Sequence, residues 1–171
     1  DSAPNVHIAT IDDAITPPIA SYIERAIKEA ESDEASTLII ELNTPGGGSE
    51  PMDDIIADIL ASEVPIVVYV SPTGGRAASA GVYITYASHI AAMAPGTNIG
   101  SATPVMIGST GSIGSDEAMQ EKITNDAVAQ ITNLANLRGR NVEWAVSAVV
   151  DAANITADEA LSLGVINLIA P

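Results

Sequence analysis

Residues 65–70 (PIVVYV) give the clearest indication of the fold, because they form an almost unbroken apolar run rich in β-branched side chains. A run of this kind is typical of a strand in a parallel sheet that is covered on both faces. It leads into the glycine-bearing residues 71–76 (SPTGGR), and a helix of small residues is predicted over 77–88. Strand, turn and helix in this order predict an α/β fold.

The same alternation extends to both ends of the chain. Residues 97–116 are rich in Gly, Ser and Thr and are predicted to form a long loop, a kind of segment that is usually functional or disordered. We therefore predict a single α/β domain over residues 1–171, with a mostly parallel sheet and helices on both of its faces. The further predicted strands are 6–11, 37–42, 90–93 and 165–169, and the further helices are 16–34, 51–62, 118–137, 142–150 and a last one that begins after Thr156 and ends at Gly164.

Composition excludes several classes of function. The 171 residues include 22 acidic and 6 basic side chains, for a net charge of −16, which argues against a nucleic acid or an anionic membrane surface as partner. The absence of cysteine excludes disulfides and thiolate catalysis. The acidic excess fits either adaptation to salt or a docking face for a basic partner. Because the chain begins at Asp1, any signal peptide or membrane segment is expected outside this sequence.

A glycine turn follows the predicted strand 37–42, at residues 43–48 (NTPGGG). It lacks both the Gly-Lys-Ser/Thr of a phosphate loop and the spacing of a dinucleotide fingerprint, so no nucleotide cofactor is expected. Glycines leave backbone N–H groups unobstructed, and such groups can stabilise an oxyanion. An ordinary strand-to-helix turn is the alternative interpretation.

Residues 76–81 (RAASAG) are a degenerate form of the Gly-x-Ser-x-Gly nucleophile elbow, with Ala77 in place of the first glycine. Small neighbours allow Ser79 to present its hydroxyl at the start of a helix, where the helix dipole adds a partial positive charge. Close helix packing also selects small residues, so this pattern alone leaves both interpretations open.

A serine nucleophile needs a base, and the chain offers two histidines and two lysines. His7 lies in a predicted strand, and His89 lies ten residues after Ser79, about 15 Å away if the helix is continuous; a structural role fits both. Lys28 belongs to the charged face of a predicted helix. Lys122 follows the Gly/Ser-rich loop, near a helix start, where a surface role and a catalytic role fit equally well.

Four segments carry a family resemblance: 42–47 (LNTPGG), 74–81 (GGRAASAG), 94–100 (APGTNIG) and 122–124 (KIT). Taken together, they resemble the protease domain of the long-form NfeD proteins, which are membrane-associated serine peptidases of the Clp-protease/crotonase-like fold. The similarity runs from the first strand to residues 160–166. It implies a Ser–Lys dyad with Ser79 as nucleophile and Lys122 as general base, and oxyanion donors from Gly46 or, preferentially, Gly47 and from Ala80.

The resemblance also implies a substrate and a setting. The substrate is expected to be an extended apolar segment of a stomatin-like membrane protein. In the sequence itself, Val105, Met106 and Ile107 either line an apolar groove or pack inward, and residues 105–121 are expected to form a cover that is mobile without a ligand and partly ordered with one. A homodimer or higher homo-oligomer, a position on the extracytoplasmic side of the membrane, and no cofactor or metal are expected. Three alternatives remain. The chain could be a signal peptide peptidase, which also uses a Ser–Lys dyad, or a crotonase-like acyl-CoA enzyme, which uses carboxylates. It could also be a non-catalytic scaffold for the assembly of membrane proteins.

Overall fold

A computed structural model of the chain describes residues 3–106 and 113–171. Over these residues, strands and helices alternate as predicted. In chain order they are β1 Val6–Asp12, α1 Pro17–Ser32, β2 Thr37–Asn43, α2 Ser49–Ala61, β3 Ile66–Val70, β4 Arg76–Ala78, α3 Ala80–Ala87, β5 Ile90–Met93, β6 Asn98–Gly100, α4 Ile113–Arg138, α5 Val142–Val150, β7 Asn154–Thr156, α6 Ala157–Ser162 and β8 Leu168–Ile169.

The strands form two sheets. The main sheet has five parallel strands in the order β1-β2-β3-β5-β8. The small sheet has the order β4-β6-β7, with β6 parallel to β4 and antiparallel to β7. Because β4 follows β3 directly, the two sheets meet where the strands of the main sheet end.

The main sheet is covered by helices on one face only within the described residues, so the prediction of helices on both faces is wrong. Successive strands are added in one direction, and right-handed crossovers then place the connecting helices on the same side. Burial agrees: in β3, Ile66 and Val68 are fully buried, whereas Val67 is only half-buried. The apolar run that suggested two covered faces therefore has one face against the core and one facing outward.

Helix α3 occupies the centre of the core. All eight of its residues are buried, and small side chains such as Ala80 and Gly81 allow it to lie close to the neighbouring elements. Gly81 shows how close: a Cβ atom there would lie 2.8 Å from Cγ2 of Thr44. The small residues around Ser79 thus have a packing function in addition to any chemical one.

The observed elements differ from the predicted ones mainly around short strands. Strands β4, β6 and β7 have three residues each, too few to show a period of two. Strand β4 replaces the predicted helix start at residue 77, β6 replaces part of the predicted loop, and β7 was not predicted. Helix α4 begins at Ile113 rather than near 118, inside the segment predicted to be a loop. Strand β8 covers only Leu168–Ile169.

Among the described residues, no helix combines the length and the apolar character that a membrane crossing requires.

Candidate active site

Ser79 lies in a strained turn between β4 and α3. Its backbone has φ 53° and ψ −116°, a conformation that costs a non-glycine residue about 1–3 kcal/mol. The turn is held on both sides, because the Ser79 N–H donates to the Gly100 carbonyl (3.1 Å) and the Val82 N–H donates to the Ser79 carbonyl (2.9 Å). The strain presents the Ser79 side chain at the N-terminus of α3, as the nucleophile-elbow interpretation requires.

The glycine turn after β2 is attached directly to the strand that precedes Ser79. Thr44, fully buried, donates its N–H to the Arg76 carbonyl (2.9 Å) and accepts from the Ala78 N–H (3.1 Å). Gly46 then packs against the serine: a Cβ atom at Gly46 would lie 2.6 Å from Cβ of Ser79 and 3.1 Å from its Oγ. The two turns that the sequence singled out are therefore in contact.

The two candidate glycine donors differ in their hydrogen bonding. Ile15 pairs with this turn as a parallel bridge, donating to the Gly46 carbonyl (2.8 Å) and accepting from the Gly48 N–H (3.0 Å). Successive peptide groups of an extended chain point in opposite directions, so the Gly47 N–H points away from Ile15. The Gly46 N–H lies 3.2 Å from the Thr44 hydroxyl and donates to it. Gly47 is thus the better placed oxyanion donor, and Gly46 provides room for Ser79.

Ser79 and Lys122 line the same cavity, which has a volume of about 950 Å³. Gly47 and Ala80 contribute to its wall beside the serine, and Lys122 reaches it from α4. Lys122 is exposed in this state, whereas Ser79 is half-buried. The fold therefore brings the predicted nucleophile, base and two oxyanion donors to one site, although they are up to 75 positions apart in the chain (122 − 47).

The rest of the cavity has a largely apolar wall. Val105 lines it and is 74% exposed. Met106 is half-buried and is not among the described lining residues, and Ile107 lies outside the described residues. The apolar lining comprises Met52, Ala80, Tyr83, Ala102, Pro104, Val105, Met119, Ile123 and Ala127. The polar lining, apart from Ser79 and Lys122, comprises Ser49, Asp53, Asn125, Asp126 and Gln130.

Tyr83 and Gln120 hold this wall in place, and the sequence analysis did not identify either. The Tyr83 hydroxyl donates to the Ala102 carbonyl (3.0 Å), and burial raises the pKa of Tyr83 to about 12, so the phenol stays neutral. The Gln120 amide donates to the Pro104 carbonyl (2.7 Å), linking the wall to α4 two residues before Lys122. A tyrosine one turn after Ser79, in the helix that follows it, was the available signal for the first.

Comparison with known proteins identifies the family of this chain. The family described as NfeD1b, N-terminal domain, matches residues 5–166. The chain belongs to the NfeD1b N-terminal domain family. The predicted resemblance to NfeD proteins is thereby confirmed.

Two curated relatives share this domain. The membrane-bound protease PH1510 of Pyrococcus horikoshii is 42% identical over 165 residues, which cover 96% of this chain and 37% of that protein. The membrane protein NfeD1b of Bacillus subtilis is 28% identical over 142 residues, covering 83% of this chain and 30% of that protein. The chain thus spans about a third of the length of the curated relatives that it matches.

Solved structures confirm the predicted fold. A serine-to-alanine mutant of the 1510-N membrane-bound stomatin-specific protease matches with a TM-score of 0.90 and 38% identity, over 99% of this chain and 81% of that one. A lysine-to-alanine mutant of the same protease, in complex with a substrate peptide, matches with a TM-score of 0.89 and 38% identity, over 98% and 75% of the two chains. This NfeD1b domain therefore has the α/β fold of that protease.

The other candidate bases have structural roles in this NfeD1b domain. The His89 Nδ1 atom accepts a hydrogen bond from the Ile66 N–H (3.0 Å), and burial, together with the nearby Arg138 and Arg140, lowers the pKa of His89. His7 lies 3.3 Å from the Asp33 carboxylate. Lys28 pairs with Glu24 one turn away on α1. The structural interpretation of these residues is confirmed.

Two arginines secure the far end of α3, the helix that begins beside Ser79. Arg140 is 6% exposed and donates to the Ser88 carbonyl (2.7 Å) and to Oδ1 of Asn167 (2.8 Å). Arg138 donates to the Ala87 carbonyl (2.9 Å). Burial lowers the pKa of Arg140 to about 10, which keeps it charged at neutral pH beside the C-terminal carbonyls of the helix. These contacts fix the orientation of the helix that carries the site.

Replacement of Gly46 by alanine is expected to slow the reaction of Ser79 with a fluorophosphonate by about 100-fold, because the new Cβ would displace the serine. Gly74→Ala is the matched control: Gly46 and Gly74 have φ values of +115° and +90°, but nothing lies within 4 Å of a Cβ at Gly74. Both variants carry backbone strain, and only the first disturbs Ser79. Equal labelling rates for the two variants would contradict the assigned contact.

Proposed function

We propose that this domain, residues 1–171, is a serine endopeptidase that hydrolyses peptide bonds in apolar segments through a Ser79–Lys122 dyad. One observation carries the proposal: a serine in a strained turn at a helix N-terminus and a lysine from a distant helix line one cavity of about 950 Å³. The fold shared with a stomatin-specific protease, at 38% identity, supports it.

The reaction follows from the placement of these groups. Neutral Lys122 takes the proton of the Ser79 hydroxyl while Oγ attacks the scissile carbonyl. The Gly47 and Ala80 N–H groups donate to the resulting oxyanion, and one such donor is typically worth about 10²–10³ in rate. The protonated lysine then returns its proton to the leaving amine, and water hydrolyses the acyl-enzyme in the second half of the cycle.

Substrate binding enables Lys122 to act as a base. A lysine accepts a proton only when neutral, and removal of solvent favours the neutral form. Lys122 is exposed in the unliganded domain, so a peptide lying along the apolar wall would cover the amine as it delivers the scissile bond. Asp53 and Asp126 line the same cavity and oppose the neutral form, whereas salt screens exposed carboxylates beyond about 8–10 Å.

The wall of the cavity favours an apolar, extended substrate. Met52, Val105 and Met119 offer adaptable apolar contacts, and a neutral, buried Tyr83 adds no charge. One protease of similar structure is specific for a stomatin homologue. By family resemblance, we propose a stomatin-like membrane protein as the substrate here, cleaved by a domain of a membrane-anchored protein on the extracytoplasmic side.

A cleavage and labelling experiment tests this function. A peptide with a central run of Val, Ile and Leu is expected to be cut within that run, and the same peptide with Ser and Gln there is expected to remain intact. A fluorophosphonate is expected to add one mass adduct, on the tryptic fragment that contains Ser79. Binding without cleavage or labelling would favour the assembly scaffold, and turnover of an acyl-CoA thioester instead would favour a crotonase-type enzyme.

A further inference from the structure

Helix α4 is packed into the hydrophobic core along only part of its length. From residue 117 to residue 126 its side chains are exposed or half-buried, and Lys122 lies in this stretch, five positions before the buried Ala127 (127 − 122). Its buried residues among those described all lie in the C-terminal half of the helix: Ala127, Ile131, Leu134 and Ala135. The proposed base is therefore carried by a part of α4 that the core does not hold.

Two glutamine side chains attach this stretch to the walls of the cavity, one on each side of Lys122. On the N-terminal side, Gln120 donates to the Pro104 carbonyl (2.7 Å). On the C-terminal side, the Gln130 amide donates to Oδ1 of Asp53 on α2 (2.8 Å). The two glutamines are ten residues apart (130 − 120), about 15 Å along the helix. Lys122 thus lies between two anchors on opposite walls.

Gln130 lies on the same side of α4 as Lys122. Positions 122, 126 and 130 recur at a spacing close to the helical period of 3.6, and the side chains Lys122, Asp126 and Gln130 all line the cavity. Because α4 is one continuous helix over these positions, a tilt permitted at Gln130 also displaces Lys122, about two turns away. The contact made by Gln130 therefore bears directly on where the lysine is held.

The partner of Gln130 belongs to the helix that follows the oxyanion turn. Helix α2 begins directly after this turn, and the Met52 N–H donates to the Gly48 carbonyl (3.2 Å) in its first turn. Asp53 follows Met52 and is therefore fixed relative to the peptide group that supplies the Gly47 N–H. The bond between Asp53 and Gln130 thus ties the helix that carries the base to the element that carries an oxyanion donor.

We propose that Gln130, through Asp53, is a positioning residue that holds Lys122 in place for proton transfer from Ser79; this inference rests on the proposed peptidase function. A carboxylate only accepts hydrogen bonds, so the Gln130 amide has to turn its NH2 group toward Asp53, and the charge strengthens the bond. Proton transfer demands exact geometry, since a misplacement of about 1 Å can cost about 100-fold in rate. The hydrogen bond supplies a constraint that core packing does not supply here.

Three proteins of equal net charge test the proposal. Gln130→Met removes the amide and keeps the length of the side chain. Asp53→Asn combined with Gln130→Glu reverses the hydrogen bond, because the new amide donates to the new carboxylate. Compared with the wild type, we expect Gln130→Met to lower kcat for an apolar peptide at least about tenfold with KM within about threefold, and the double variant to recover at least about fivefold of that loss.

Asn133→Met is the matched control. Asn133 is an exposed amide on the same helix and is not among the described residues that line the cavity. The change removes an amide and adds a methionine, as Gln130→Met does, but it breaks no contact with α2. We expect kcat to stay within about threefold of the wild type, so a loss as large as that of Gln130→Met would contradict the assigned role.

Amide hydrogen exchange measures the anchor without any turnover. Exchange over residues 117–126 is expected to be about tenfold faster in Gln130→Met than in the wild type, and to slow again in the double variant, because loss of a hydrogen bond to a charged group favours local opening. A wild type that cleaves no peptide would contradict the proposed function, and the exchange rates would still decide whether this bond holds the Lys122 stretch.

Four results would overturn the proposal. They are an unchanged kcat in Gln130→Met, no recovery in the double variant, exchange that does not respond to Gln130→Met, and a loss confined to KM. The last result would indicate that Gln130 contacts the substrate directly and does not act through Lys122.

Discussion

Ser79→Ala is expected to abolish peptide hydrolysis, with a loss of about 10⁴-fold or more, and to leave the domain folded. Ser49 also lines the cavity, but among the described lining residues only Ser79 lies in the strained turn beside the Ala80 N–H, and loss of a nucleophile removes most of the catalysis that a dyad provides. Alanine meets the same backbone strain as serine at φ 53°, so the free energy of unfolding should change little. Turnover of an apolar peptide and the mass of the fluorophosphonate-treated protein measure the two effects.

Ser101 supplies the matched control for this experiment. It is also a serine at positive φ, 56°, but it is exposed, and its Oγ accepts a hydrogen bond from Asn154 (3.0 Å). Ser101→Ala is expected to keep activity within a few-fold and to retain the fluorophosphonate adduct. Undiminished turnover in Ser79→Ala, or loss of the adduct in both variants, would exclude Ser79 as the nucleophile.

Lys122→Met is expected to reduce kcat/KM by about 10²–10⁴-fold, the usual contribution of a general base. Lys122→Arg keeps the positive charge but is expected to be as inactive as Lys122→Met, because a guanidinium stays protonated and cannot act as a base. Rates of apolar-peptide cleavage by the wild type and the two variants measure this loss.

The other lysine of the chain is the natural control. Lys28 lies on α1, paired with Glu24, and Lys28→Met removes the same charge from a surface outside the cavity. Its rate is expected to match that of the wild type. An active Lys122→Arg variant, or an undiminished rate in Lys122→Met, would refute the assignment of Lys122 as the base.

Local pattern was enough to locate the long elements. The helical spacing of Ile19, Ile23 and Ile27 predicted α1, and alternation predicted β1 and β2, because each of these segments has one buried face long enough to show its period. Residue types at a few positions were enough to predict candidate catalytic residues: Ser79 among small residues, and one lysine beside a Gly/Ser-rich segment. The family resemblance joined them into a dyad.

Other features depend on contacts between distant residues. Strands β4, β6 and β7 exist because of their pairing with one another, not because of any periodicity of their own. The choice between Gly46 and Gly47 as oxyanion donor depends on Ile15, which pairs with this turn from some 30 residues earlier in the chain (46 − 15 = 31). Neither dependence can be read from a local window of sequence.

The amino-acid sequence by itself determined the order of the strands and helices and the residue types available for catalysis, since both follow from short-range periodicity and side-chain chemistry. Only the tertiary structure decided that Ser79 and Lys122 line one cavity and that one face of the main sheet is left uncovered. Both outcomes come from the direction in which right-handed crossovers add each strand to the sheet. That direction is a property of the assembled chain and cannot be predicted from any single segment.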